Sequence, residues 1–116
     1  GVDSLAIPTD AAACAKALAQ KLGTVVVLSG AEDLVTDGTT LHSVSGGSDF
    51  MRSVTGAGCM LSVLCGAFAA VQPQQPLNAA VQAAAFWKAC AEKAEPMAHG
   101  PASFRVALLD AAAQIL

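Results

Sequence analysis

Residues 53–68 read SVTGAGCMLSVLCGAF, and this stretch decides how the rest of the chain is understood. Gly56, Ala57 and Gly58 are small and permissive, and an apolar run with no breaker follows at once. Glycine turns tightly and lets backbone N–H groups come close to a ligand. A helix that begins there leaves its first N–H groups unpaired and turns its positive dipole end outward. The combination is an anion site, with phosphate as the usual guest. Gly56, Ala57 and Gly58 are therefore the expected anion hole, with the amides of residues 57–59 as donors. Cys59 falls on the first helical turn, where the same dipole can acidify a thiol. A blander reading stays open: such glycines can simply let a loop pass close to a helix.

Working outward toward the N-terminus, residues 24–28 (TVVVL) form a continuous β-branched run. A run without alternation predicts a strand buried on both faces, as in a parallel sheet. It ends at Ser29-Gly30. Ligands of open α/β sheets bind at the carboxyl ends of strands, so Ser29 is either a ligand contact or a turn serine. Residues 34–37 and 40–44 predict two short strands, and Asp37-Gly38 between them is a hairpin signal. His42 is read as an exposed strand residue. Before the first strand, Thr9 or Asp10 caps a helix to about residue 22, which Gly23 stops. Ala13, Ala17 and Leu18 are its expected apolar face, with Lys16, Gln20 and Lys21 solvated. Residues 1–8 read as an irregular lead-in.

A loop through Gly46-Gly47-Ser48-Asp49 leads into the glycine turn. Arg52 in it either faces a phosphate or is a solvated loop cation. Downstream, the helix after Gly58 is expected to reach about residue 71, and the prolines at 73 and 76 break the chain. A second alanine-rich helix spans residues 77–94, with Glu92, Lys93 and Glu95 at its solvated tip. Residues 96–101 form a loop, and Pro101 or Ser103 opens a last helix to residue 116.

The composition narrows the function. Hydrophobic residues make up 54% of the 116 and charged residues 13%, a balance that excludes disorder and fits one compact domain. The net charge of −3 comes with no basic cluster, so nucleic-acid binding has no electrostatic support. Residues 53–87 carry no charge at all, which predicts apolar faces covered by further protein or by other subunits. Cys14, Cys59, Cys65 and Cys90 make no C-x-x-C pair, and neither histidine lies at ligand spacing from them, so no metal site is expected. Three of these cysteines are read as core filler, with thiols reduced in a cytosol. Residues 54–71 reach the short limit of a membrane span. Their glycine-rich start and the lack of a basic or aromatic flank favour a buried helix instead. One strand and a hairpin cannot make a doubly covered sheet, so further strands are expected outside this sequence.

Several blocks together resemble a known family. They are Val25-Val26-Val27-Leu28-Ser29-Gly30, Asp33, Val35-Thr36-Asp37-Gly38, Gly46-Gly47, Met51, Val54-Thr55-Gly56-Ala57-Gly58-Cys59 and Gly100-Pro101-Ala102-Ser103-Phe104. In their order and spacing they resemble hydroxyethylthiazole kinase, a thiamine-salvage kinase of the ribokinase-like fold. Related sugar kinases of that fold carry Asp where this chain has Cys59. The resemblance implies an α/β fold, with residues 1–116 as the C-terminal half of a ribokinase-like three-layer kinase domain and the N-terminal portion absent. It implies ATP and Mg2+ as cofactors, a cytoplasmic homotrimer, and transfer of the ATP γ-phosphate to the hydroxyl of 4-methyl-5-(2-hydroxyethyl)thiazole. Carried over by position, Ser29 contacts ATP, Gly56 lies at the thiazole site and Cys59 faces the substrate hydroxyl as the catalytic residue. The family usually has Thr at Ala57, often Glu at Ala31, and a proline near Asp49. The portion that supplies an ATP-binding arginine, acidic magnesium residues and most thiazole contacts is not in the sequence, so the chain alone is expected to be inactive. Alternatives are another small-alcohol kinase of the same fold, a non-catalytic fragment or interaction module, and a membrane-helix protein.

Overall fold

The alanine-rich segments fold as four α-helices around a small sheet, in a computed structural model that describes residues 10–115. The expected lead-in over residues 1–8 and a cap at Thr9 lie outside the described residues. The order is α1 (Ala11–Leu22), β1 (Val26–Leu28), β2 (Asp33–Thr36), β3 (Leu41–Val44), a 3-10 turn (Asp49–Ser53), α2 (Ala57–Val71), α3 (Pro76–Ala94), a second 3-10 turn (Glu95–Met97) and α4 (Pro101–Ile115). The class is α/β, as expected.

α1 ends where Gly23 enters the left-handed region (φ 60°) and its N–H turns back to Gln20 O, while Thr24 N–H reaches Ala19 O. This closes the last turn in the manner of a C′ glycine. Asp10 stands at the N-cap but makes no side-chain cap bond. The buried face of α1 is Ala15 and Ala19, whereas Ala13, Ala17 and Leu18 are exposed, Leu18 by 46%. The expected face is therefore wrong by part of a turn. In an alanine-rich helix two stripes are about equally apolar, so packing against β1 and β2, not composition, selects Ala15 and Ala19. Gln20 is not merely solvated: its Nε2 donates to Gly38 O at 2.7 Å.

The strands form an antiparallel meander in the order β1-β2-β3. Val27 pairs with Val35, and Val35 with His42. The β2–β3 hairpin turns at Asp37-Gly38 as expected. Gly38 takes φ 96°, and the Asp37 carboxylate accepts from Thr39 N–H (2.9 Å) and Thr40 N–H (2.8 Å). The Thr36 hydroxyl, fully buried, donates to Thr40 O and accepts from Gly38 N–H. β1 departs from the expected doubly buried strand. It pairs antiparallel, on one side only among the described residues, and Leu28 is 39% exposed. Its β-branched run fits a deeper burial than these residues alone provide.

α3 is the central helix. Its Ala80 and Ala84 pack on Val35 of the sheet, and Trp87, Cys90, Ala91 and Ala94 pack with Leu61 of α2 and Phe104 and Leu108 of α4. Alanine on α3 lets its neighbours come close, and the fully buried side chains of Phe104 and Leu108 fill the space between helices. Phe50 of the first 3-10 turn stacks on Phe104 with ring centroids 5.3 Å apart, which fixes the approach to α2. The molecule is flat, 42 × 34 × 18 Å, and Val63 and Val71 of α2 are exposed on its outer face. α2 is uncharged, but its 15 residues extend only about 22 Å. No helix of the described residues is long and apolar enough to cross a membrane.

Candidate active site

The mouth of α2 is built by three local decisions of the sequence. Ser48 caps the 3-10 turn, its Oγ accepting from Phe50 N–H at 3.2 Å. Val54 is buried and anchors the end of that turn in the helical core. Gly56 then takes φ 93° and ψ −1°, a conformation that side-chain-bearing residues resist, and the helix starts at Ala57, two residues earlier than expected.

The amides at this start are not equivalent. Ala57 N–H makes a long bond to Val54 O (3.4 Å), and Met60 N–H closes the first helical turn on Gly56 O (2.9 Å). The amides of Gly58 and Cys59 have no acceptor among the described residues. The open donors are thus Gly58 and Cys59, with Ala57 partly engaged. A methyl group built on Gly56 or Gly58 would meet nothing within 4 Å, so the mouth is open. The Cys59 thiol is exposed on the first turn. From behind, Trp87 of α3 donates its Nε1–H to Ala57 O at 3.1 Å, tying the first residue of α2 to the core. Oriented amides, the positive end of a 15-residue helix and an exposed thiol can together hold a tetrahedral anion and a small nucleophile's hydroxyl.

Ser29, half-buried, follows directly on β1. The next peptide is held firmly: Gly30 N–H donates to Asp33 Oδ1 at 3.0 Å. Asp33 is 4% exposed and faces Lys88, 8% exposed, with Lys88 Nζ 3.7 Å from its Oδ2. Lys88 also donates to the carbonyls of Ala31 (2.9 Å), Gly30 (3.4 Å) and Gly46 (3.4 Å). One turn further along α3, Glu92 Oε1 accepts from Gly47 N–H at 3.0 Å. Sequence reasoning gave Lys88 no role and left Glu92 at a solvated tip. A signal for Lys88 was present: it stands four residues after Ala84, in the stripe of α3 that faces the sheet.

The other candidates separate clearly. Arg52 is exposed and pairs with Asp49 at 3.7 Å, both largely in solvent, so it is a solvated loop cation. His42 is exposed in β3. Of the cysteines, Cys90 alone is fully buried, Cys65 is half-buried, and Cys14 and Cys59 are exposed, so core filling describes fewer of them than expected. Burial raises the Cys65 thiol pKa, with the Asp33 charge adding to it, and burial also raises that of Cys90. Among the described residues no group of His, Cys, Asp or Glu could hold a metal ion. Asp33 is engaged with Lys88, and Asp49 stands alone in solvent beside Arg52, so no set of carboxylates converges here. These residues therefore do not fit a magnesium site. A shallow apolar concavity of ≈ 410 Å³ lies along β1 and the facing sides of α2 and α3, and it contains none of the candidate residues.

The model of the hydroxyethylthiazole kinase family matches residues 1–116. The chain is 47% identical over 110 residues to hydroxyethylthiazole kinase of Methanocella arvoryzae, covering 95% of this chain and 41% of that protein. It is 47% identical over 115 residues to the Gemmatimonas aurantiaca kinase, covering 99% and 41%. With the Arabidopsis thaliana protein of the same name it shares 44% identity over 110 residues, covering 95% and 40%. Its fold matches a solved hydroxyethylthiazole kinase structure from Pyrococcus horikoshii OT3 with a TM-score of 0.81 and 38% identity, over 86% of this chain and 39% of that one. The chain thus spans 41% of the length of the first two of these curated relatives.

Proposed function

Because this chain belongs to the hydroxyethylthiazole kinase family, we propose that it supplies the phosphoryl-transfer end of an ATP-dependent kinase that acts on 4-methyl-5-(2-hydroxyethyl)thiazole in thiamine salvage. The observation that carries this reading is the open mouth of α2, where the unpaired amides of Gly58 and Cys59 adjoin an exposed thiol. In the reaction the alcohol oxygen bonds to the γ-phosphorus, the bond from that phosphorus to the β,γ-bridging oxygen breaks, ADP leaves, and the alcohol proton is released. Such transfer needs positioning and charge stabilisation more than covalent help from the protein.

The roles divide among this chain's own residues. The amides of Gly58 and Cys59, with Ala57 behind them, receive the oxygens of the transferring group, and aligned donors of this kind contribute about 3 kcal/mol to a transition state. Gly56 lies against the thiazole. Ser29 contacts ATP. The Cys59 thiol orients the hydroxyl. A magnesium ion bound to the nucleotide would screen its charge, and none of this chain's residues is assigned to hold it. The active unit is a cytoplasmic homotrimer in which other subunits cover the uncharged face of α2.

The test is an ATP-dependent phosphorylation assay of the full-length gene product, offering the thiazole alcohol, a hydroxymethylpyrimidine and ribose in parallel. Phosphorylated thiazole alcohol as the preferred product is the expected result. Preference for the pyrimidine or the sugar would assign a different kinase of the same fold. No transfer to any of them would leave a non-catalytic module.

A further inference from the structure

Lys88 is a buried cation at the centre of a helix whose other inward residues are small or apolar. Burying an ammonium group is costly unless it is paired and hydrogen-bonded. Here the pairing is complete. A lysine has three N–H donors, and three carbonyls surround Nζ, those of Gly30, Ala31 and Gly46, with Asp33 supplying the countercharge. Buried ion pairs add little to stability compared with apolar packing of the same volume. Stability alone is therefore a weak reason for this arrangement.

What the arrangement fixes is position. Its partners belong to two loops that are distant in sequence. The first is the β1–β2 turn, which begins at Ser29. The Ser29–Gly30 peptide is gripped by Asp33 through its N–H, and the next two carbonyls are gripped by Lys88. The second is the Gly46-Gly47 loop, which leads into the 3-10 turn before Gly56. There one peptide unit is held at both ends: Lys88 takes the Gly46 carbonyl and Glu92 takes the Gly47 N–H. A trans peptide points these two groups in opposite directions, and residues four apart on a helix can meet both. Gly46 and Gly47 have φ of 103° and 91°, and a methyl group on Gly46 would collide with the Glu92 carboxylate. The clasp thus needs glycine on the loop and opposite charges on α3.

We propose that Lys88, together with Asp33 and Glu92, is a positioning residue for the nucleotide, holding the Ser29 turn and the Gly46-Gly47 loop in the one arrangement that receives ATP. This rests on the kinase reading above and on Ser29 as its ATP contact. Lys88 acts through Ser29 and the loop, and touches neither substrate.

The experiment is steady-state kinetics on the full-length gene product, with ATP and the thiazole alcohol varied separately. Wild type is compared with Lys88→Met and Glu92→Ala, and the folded state of each is checked by circular dichroism. Lys88→Met is expected to raise KM for ATP about tenfold and to leave KM for the thiazole alcohol within twofold. Glu92→Ala, at an exposed position that tolerates truncation, is expected to raise KM for ATP about threefold with the same asymmetry. A purely structural role lowers active protein or moves both constants together. A folded Lys88→Met protein with KM for ATP within twofold of wild type, or with both constants raised equally, overturns the inference. If Lys88→Met does not fold, Glu92→Ala decides on the same criterion. Wild type that transfers no phosphoryl group to the alcohol refutes the kinase reading and this inference with it; active wild type beside unaltered variants refutes this inference alone.

Discussion

Gly58→Ala should make the protein more stable and less active at once. Gly58 lies in the first turn of α2 with ordinary helical φ, and a methyl group there meets nothing within 4 Å. The folded state therefore accepts alanine without strain. Alanine exceeds glycine in helix propensity by up to about 1 kcal/mol and removes freedom from the unfolded chain. In a first turn the gain should be about 0.5–1 kcal/mol, which raises Tm by about 2–4 °C. The effect on chemistry has the opposite sign. A helical Cα–Cβ bond tilts toward the helix N-terminus, so the new methyl projects into the mouth where the phosphoryl oxygens would rest. A displacement of about 1 Å in a reacting group costs about a hundredfold in rate, and kcat should fall by that order. Thermal melting and a kinase assay on the same preparation read both effects. Wild-type kcat in a stabilised variant would mean that no phosphate approaches Gly58. A fall in both quantities would mean that the mouth is not open as described.

Three further outcomes follow from named contacts. Cys59→Asp in the full-length protein is expected to keep or raise turnover, because a carboxylate placed there can accept the alcohol proton; a large loss in a folded variant counts against Cys59 facing the hydroxyl. Trp87→Phe removes the bond to Ala57 O and part of a buried ring, and urea unfolding followed by circular dichroism should show a loss of about 2 kcal/mol. The Asp37 carboxylate is held below its ordinary pKa of 3.8 by the amides of Thr40 first and Thr39 second. A depressed folded pKa gives stability that is present above the unfolded value and lost as pH falls through the folded one. Asp37→Asn should therefore lower stability slightly at neutral pH and flatten the profile below about pH 4; an unaltered acid limb would refute the cap.

The elements that were legible in the sequence are those with local signals. Gly23 stops α1, Asp37-Gly38 turns the hairpin, α2 starts two residues before its expected start and α3 one residue before, at Pro76, and Pro101 opens α4. Each of these rests on the conformation of one or two residues. What was illegible depends on partners far along the chain. Ala15 and Ala19 face the sheet while Ala17 and Leu18 do not, a choice made by packing, because both stripes are apolar. The antiparallel pairing of β1 is set by which strand is beside it, and its composition cannot report that. At the candidate site, the turn and the thiol were readable as a motif. The burial of Lys88 among carbonyls 42, 57 and 58 residues away arises only once the chain is folded.

The indole of Trp87 has one more consequence. It is the single tryptophan of these 116 residues, which contain no tyrosine, and its N–H rests on the first carbonyl of α2. Any near-ultraviolet emission this chain contributes therefore comes from one ring at the root of the candidate anion site. The excited indole has a large dipole, and its emission energy responds to the local electric field. An anion settling on the open amides changes the field along the α2 axis, on which that carbonyl lies. The fold thus places an optical voltmeter one peptide behind the mouth, and the occupancy of the site can be followed without attaching a label.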